Sequence, residues 1–214
     1  LHPKYFYDIL AATMVNQGKN CYEAEIDCIQ ELCDFLRFNV QYTLNILQNQ
    51  PISPHSNIKN YSQYIPLQGF FTSITPFNFT AIAGNLASAP LLFGNINYWK
   101  PSEKSLLSNK LFYDILLEAN LPPEVLSFCV SEPKNFVNQC LENDIGAILY
   151  TGSSSVFKEI NHKTHQKYYS RFNDNQSYNH VRLMGETGGK NFHWVDTRCD
   201  LDLVSLKTAE SAFN

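Results

Sequence analysis

Phe70-Phe71-Thr72-Ser73-Ile74-Thr75-Pro76-Phe77-Asn78-Phe79-Thr80-Ala81-Ile82-Ala83-Gly84 is the stretch on which the fold turns. Phe70 to Thr75 reads as a buried strand, and Pro76 ends it. From Phe79 to Leu92 the small residues Ala81, Ala83, Gly84, Ala87 and Ala89 fall in a predicted helix. The alternation continues downstream. Strands are expected at Asn95–Trp99, Val125–Val130 and Ala147–Tyr150. Helices are expected at Ser105–Ala119, closed by Leu121-Pro122-Pro123, at Lys134–Glu142 and from Ser154 to about Lys167. Strand followed by helix, repeated, predicts an α/β fold: a Rossmann-like parallel sheet with crossover helices on its faces.

Outward from this block the pattern changes. Tyr22–Phe38 reads as an amphipathic helix, with Ile26, Ile29, Leu32, Cys33 and Leu36 at helical spacing and Glu23, Asp27, Gln30 and Asp34 between them. Gln50–Pro66, with Pro51, Ser53, Pro54, Ser56, Asn57 and Asn60, reads as an irregular crossing segment. It divides an amino-terminal helical region, 1–66, from a sheet-bearing domain, 67–214. Tyr168–His180, polar and aromatic without period, reads as a surface insertion. A strand at Asn191–Val195 and a helix at Leu201–Phe213 are expected to close the chain.

A hydrophobic fraction of 44% and a charged fraction of 17% are those of a globular protein. A net charge of −4 gives no electrostatic reason to expect nucleic acid as a partner. No apolar run approaches a membrane span. The chain opens on Leu1 without a signal-peptide pattern, which reads as an internal or processed start. The six cysteines form no CxxC pair and have no histidine at zinc-ligand spacing, so no metal site is expected and all six read as buried thiols of a reducing compartment.

Four segments carry chemistry. Asn78 sits at a strand-to-helix turn, where its amide could donate to a developing oxyanion or simply cap the helix. Lys100, in Tyr98-Trp99-Lys100-Pro101-Ser102-Glu103, could meet a phosphate or a ribose hydroxyl, or be a solvated strand-end lysine. Thr151-Gly152-Ser153-Ser154-Ser155-Val156-Phe157 is not a GxGxxG fingerprint, yet its helix start could meet a pyrophosphate. A plain Gly-Ser helix start is the alternative. Glu186, in Gly185-Glu186-Thr187-Gly188-Gly189-Lys190-Asn191-Phe192-His193, stands between an expected loop and an expected strand. There a carboxylate could sit at the mouth of a cleft while the glycines admit a flat ligand. Read alone it would be a surface charge. His193, placed on the expected strand, reads as structural.

Taken together these segments resemble the aldehyde dehydrogenase superfamily, and in order and spacing its delta-1-pyrroline-5-carboxylate dehydrogenase branch. Trp99-Lys100-Pro101-Ser102 matches the family's form. Lys190-Asn191-Phe192-His193, Val15-Asn16-Gln17-Gly18-Lys19, Phe35-Leu36-Arg37-Phe38-Asn39 and Asn78-Phe79-Thr80-Ala81-Ile82 look like that branch. The resemblance implies NAD-dependent oxidation of L-glutamate γ-semialdehyde to L-glutamate in proline breakdown. It implies Asn78 as oxyanion donor and Glu186 as the base that activates water. It implies NAD along Thr75, Lys100, Gly152, Ser153, Ser154, Ser155 and Val156, with Glu103 as a second ribose contact. It implies Phe79 beside the aliphatic part of the substrate, and Glu31 facing its amine. A small-molecule aldehyde substrate, a mitochondrial matrix location and a homo-oligomeric full-length enzyme follow from the same resemblance. The family places its catalytic cysteine beyond the position matched by Asn214, so this chain is expected to be a fragment, inactive alone. The alternative is a non-catalytic NAD-binding or structural relative.

Overall fold

The computed structural model describes residues 3–173 and 180–213. Among the described residues the sheet has five strands, all parallel: β1 (Phe70–Ile74), β2 (Asn97–Lys100), β3 (Leu126–Phe128), β4 (Ile145–Gly152) and β5 (Arg182–Thr187), in the order β3-β2-β1-β4-β5. Parallel neighbours need crossovers, and helices provide them: α4 (Thr80–Ser88) after β1, α5 (Leu106–Glu118) after β2, α6 (Pro133–Leu141) after β3 and α7 (Ser154–Asn173) after β4. The order reverses between β1 and β4, which opens a crevice at their carboxyl ends. Register brings the strand ends level there: Ile74 pairs with Lys100 and Tyr150, and Thr151 with Glu186.

Each face of the sheet buries its own core. On one, α1 (Pro3–Gln17), α2 (Cys21–Glu25) and α3 (Leu32–Gln48) join α4 and α5 around Trp99 and Leu126, both wholly buried. The amino-terminal helices thus share a core with the crossover helices. Trp99 lies edge-on to Phe112 and Phe128 and donates its indole N–H to Thr75 Oγ1 at 3.0 Å. On the other face α6 and α7 pack Phe136, Val137, Leu141 and Ile160 against Ile148 and Tyr150.

Several expectations shift. The helix expected at Tyr22–Phe38 starts at Cys21, behind a capping box in which Asn20 and Glu23 each bond the other's backbone N–H at 2.9 Å, and it runs to Gln48. Ile26–Glu31 within it is wound as a π-helix, which turns Asp27 and Cys28 inward. Asn191–Val195 is not a strand. It pairs with nothing in the sheet, and Phe192 and Trp194 are 83% and 89% exposed. The last strand is β5 instead, so Glu186 ends a strand rather than preceding one. Gly185 leaves room inside β5 for the Phe157 ring of α7, which a Cβ at that position would run into. The expected insertion at Tyr168–His180 begins as helix, since α7 continues to Asn173; residues 174–179 lie outside the described residues. The cysteines are not uniformly buried. Cys28 and Cys140 are, Cys33 and Cys129 are half-buried, and Cys21 and Cys199 are exposed.

Gly84 gives a direct test of the first core. An alanine Cβ there would fall 2.6 Å from Leu32 Cδ1 and 2.9 Å from Phe112 Cε1, and both neighbours are themselves buried, so making room means repacking the core. Gly84→Ala should therefore destabilise the fold by about 1–2 kcal/mol, overcoming the gain of under about 1 kcal/mol in helix propensity. A urea melt showing a more stable variant would contradict this packing.

Candidate active site

The crevice at the carboxyl edge of the sheet is a cleft of about 830 Å³. Its walls include Thr75, Asn78, Phe79, Lys100, Glu103, Gly152, Ser153, Val156 and Glu186, so residues far apart in sequence meet in one place. Ser154 and Ser155 do not line it; they are exposed on the first turn of α7. No cysteine among the described residues lines it. Among the described residues no group of His, Cys, Asp or Glu is arranged to hold a metal ion, and no helix is long and apolar enough to cross a membrane.

Lys100 departs most from its plain reading. A strand-end lysine is expected in solvent, yet this residue is only 3% exposed. Its Nζ donates to Pro101 O at 3.1 Å, its one hydrogen bond among the described residues, so an ammonium with three N–H groups retains donors for a guest in the cleft. Burial pulls its pKa below the ordinary lysine value, while the nearby Glu103 carboxylate opposes the shift. Thr75 is held by the Trp99 indole through its side chain, and its backbone N–H donates to Lys100 O at 3.2 Å.

At the start of α7 the first helical bond runs from Phe157 N to Ser153 O at 3.1 Å. The N–H groups of the preceding turn have no intrahelical acceptor, and Val156 N reaches only the Ser153 hydroxyl, at a long 3.4 Å. Donors and the positive end of a 20-residue helix thus meet the cleft between Gly152 and Val156.

Asn78 does not cap α4. The N-cap position is Phe79, extended at φ −139° and ψ 117°, with no side-chain bond of its own. The cap comes from 53 residues away: Asp27 Oδ2 accepts from Thr80 N at 2.9 Å, and Asp27 Oδ1 from Ala81 N at 2.8 Å. Asn78 is thereby left exposed at the cleft wall. Nothing in sequence spacing marks Asp27 as that cap. Glu31, one turn further along the π segment, does not line the cleft; burial and the Asp27 charge raise its pKa, and Lys19 opposes them. His193 lies outside the cleft as well, its ring bonded to Thr208 Oγ1 at 2.8 Å.

The cleft thus brings together a helix amino terminus, a buried ammonium near a carboxylate, an amide and a second carboxylate. The model of the aldehyde dehydrogenase family matches residues 6–214, so the chain belongs to that family. Within it, the chain is 42% identical over 211 residues to the mitochondrial delta-1-pyrroline-5-carboxylate dehydrogenase of Emericella nidulans, covering 98% of this chain and 36% of that protein. It is 43% identical over 208 residues to the human mitochondrial protein of the same name, covering 96% and 36%. The delta-pyrroline-5-carboxylate dehydrogenase of Mycobacterium tuberculosis, solved bound with NAD, superposes with a TM-score of 0.79 at 40% identity, over 87% of this chain and 34% of that one. The chain thus spans about a third of the length of the relatives it matches.

Proposed function

We propose that this chain is the cofactor-binding portion of an NAD-dependent L-glutamate γ-semialdehyde dehydrogenase acting in proline breakdown in the mitochondrial matrix, within an enzyme that assembles as a homo-oligomer. The observation that carries the reading is the convergence of Lys100, the α7 amino terminus, Asn78 and Glu186 on one cleft. NAD fits the donor set. Lys100, with Glu103 beside it, would hold ribose hydroxyls, and the cleft-lining Gly152, Ser153 and Val156 at the start of α7 would hold the diphosphate. Thr75, fixed by Trp99, would border the same ligand. Bound NAD supplies a hydride acceptor for the aldehyde carbon.

The remaining chemistry falls to side chains. A thiolate from outside these residues adds to the aldehyde, and the Asn78 amide donates to the oxygen that becomes negative. After the carbon is oxidised to a thioester, Glu186 takes a proton from water, and the resulting hydroxide attacks the carbonyl and releases L-glutamate and the thiol. Phe79, 36% exposed at the wall, would flank the aliphatic chain of the substrate.

Calorimetry with NAD tests the cofactor half. Lys100→Ala should weaken binding by roughly 1–2 kcal/mol, the value of a charge-assisted hydrogen bond. Unchanged affinity in a folded variant would remove Lys100 from the site. pH gives a second check. The folded pKa of Lys100 is depressed, so on raising the pH the buried amine loses its proton before an unfolded lysine does. Across that window the unfolded state binds more protons, so this group makes the ligand-free fold more stable as pH rises, while NAD loses its charged partner and binds less tightly. Affinity that holds steady up to the ordinary lysine pKa would contradict the role.

A further inference from the structure

We propose that Asp27, with Lys19, is the positioning pair that sets the Asn78-Phe79 turn for work on the aldehyde, a role that rests on the reading of Asn78 as oxyanion donor. Asp27 is 2% exposed, yet its carboxylate is fully used. Oδ1 accepts from Ala81 N, and Oδ2 accepts both from Thr80 N and from Lys19 Nζ at 2.8 Å. These are the first two N–H groups of α4, immediately after Phe79. A buried carboxylate without such partners would be strongly disfavoured, so the three bonds hold one another in place. Lys19 also reaches the ring of Phe79. Its Nζ stands 4.1 Å from the ring centre and pins that side chain by a cation–π contact. The Thr80 hydroxyl is fastened in turn, bonded to Thr13 Oγ1 at 3.0 Å and to Gln17 Nε2 at 2.7 Å.

The turn from Thr75 to Phe79 is therefore clamped at both ends. Trp99 holds Thr75, and the Asp27 carboxylate holds the α4 amino terminus. Asn78 lies between, with neither clamp touching its amide. The π-helical winding of Ile26–Glu31 turns Asp27 into the α4 amino terminus, which gives that irregular segment a purpose. Thr75 lines the cleft while Asp27 reaches it only through the α4 amino terminus next to Phe79, so on the proposed reading loss of the Asp27 clamp should impair aldehyde chemistry more than NAD binding.

The test is a double-mutant cycle in the complete enzyme that carries this segment. Asp27→Ala should lower kcat for aldehyde oxidation about 10–100-fold while the Kd for NAD stays within about threefold. Hydrogen exchange should quicken at the Thr80 and Ala81 amides and keep wild-type protection in β4 and α7. Adding Asn78→Ala to Asp27→Ala should cost little beyond Asn78→Ala alone, since both act through one amide. Should Asp27→Ala fail to fold, Asp27→Asn keeps the shape and one acceptor oxygen, and a partial loss of kcat is expected. Multiplicative losses in the cycle, NAD affinity falling in step with kcat, or a folded variant with unchanged kcat would overturn the proposal. If Asn78→Ala is damaging and Asp27→Ala silent, only this proposal fails; if Asn78→Ala is itself silent, the reading of Asn78 falls and this proposal with it.

Discussion

The 214-residue chain, assayed by itself with L-glutamate γ-semialdehyde and NAD, is expected to form no NADH above background, even where it binds the cofactor. Among the described residues the cleft presents the Asn78 amide, lysine ammoniums and glutamate carboxylates but no thiol. The cysteines nearest the cores are poor substitutes. Burial pushes the Cys28 and Cys129 thiols up to about 11 and raises that of Cys140 also, so the thiolate is scarce at neutral pH. Cys21 and Cys199 are exposed, but neither is at the cleft. In the proposed reaction Asn78 and Glu186 act on species that only a covalent nucleophile creates. Removing the nucleophile from such a set costs about 10⁶-fold rather than a share of the rate, because the remaining groups cannot act without it. NADH formation at an ordinary enzymatic rate, abolished by replacing one of the six cysteines, would show that a resident thiol reaches the cleft.

The fold was legible wherever local period and long-range packing agree. Phe70–Thr75 and Ala147–Tyr150 read as strands because both faces of a central parallel strand are buried, and the observed β1 and β4 are buried along most of their length. β5 was missed for the converse reason. It lies at the sheet edge, Arg182, Met184, Gly185 and Glu186 are exposed, and a glycine stands in its middle, so neither alternation nor an apolar run marks it. Asn191-Phe192-His193-Trp194-Val195 carried the stronger strand composition and forms none. Composition reports what a segment could bury, and here no described residue covers Phe192 or Trp194, which stay exposed. The cleft residues were legible through family resemblance, and the backbone places Thr75, Asn78, Lys100, Gly152 and Glu186 on one rim. What sequence could not supply was contact across distance. Asp27 reads as one polar position on an amphipathic helix, and only the tertiary fold shows it capping another helix and freeing Asn78 from that duty.

In the complete enzyme, Asn78→Ala and Glu186→Gln should both be severe and should fail at different steps. Asn78 stands in the turn after β1 with its amide uncommitted to the α4 cap, so on the proposed reading its replacement removes a donor to the first oxyanion. Loss of one such donor typically costs about 10²–10³ in rate, and here it would fall on thioester formation. Glu186 ends β5 on the cleft wall, exposed and therefore able to meet water. The glutamine variant keeps shape but not basicity and should slow thioester hydrolysis by about 10²–10⁴, the usual reach of a general base. In the proposed sequence hydride leaves the substrate before water attacks. Glu186→Gln should therefore still release a burst of NADH near one equivalent per active site, after which turnover stalls and the acyl group remains on the enzyme. Asn78→Ala should show a slow rise and no burst. Rapid-quench measurement of NADH, with intact mass spectrometry for the trapped acyl group, separates the two cases. A burst in Asn78→Ala, or its absence in a folded Glu186→Gln that still binds NAD, would exchange or cancel the assigned roles. Added nucleophiles such as hydroxylamine extend the test: they attack a thioester without help from a base, so they should restore NADH turnover to Glu186→Gln and leave Asn78→Ala slow.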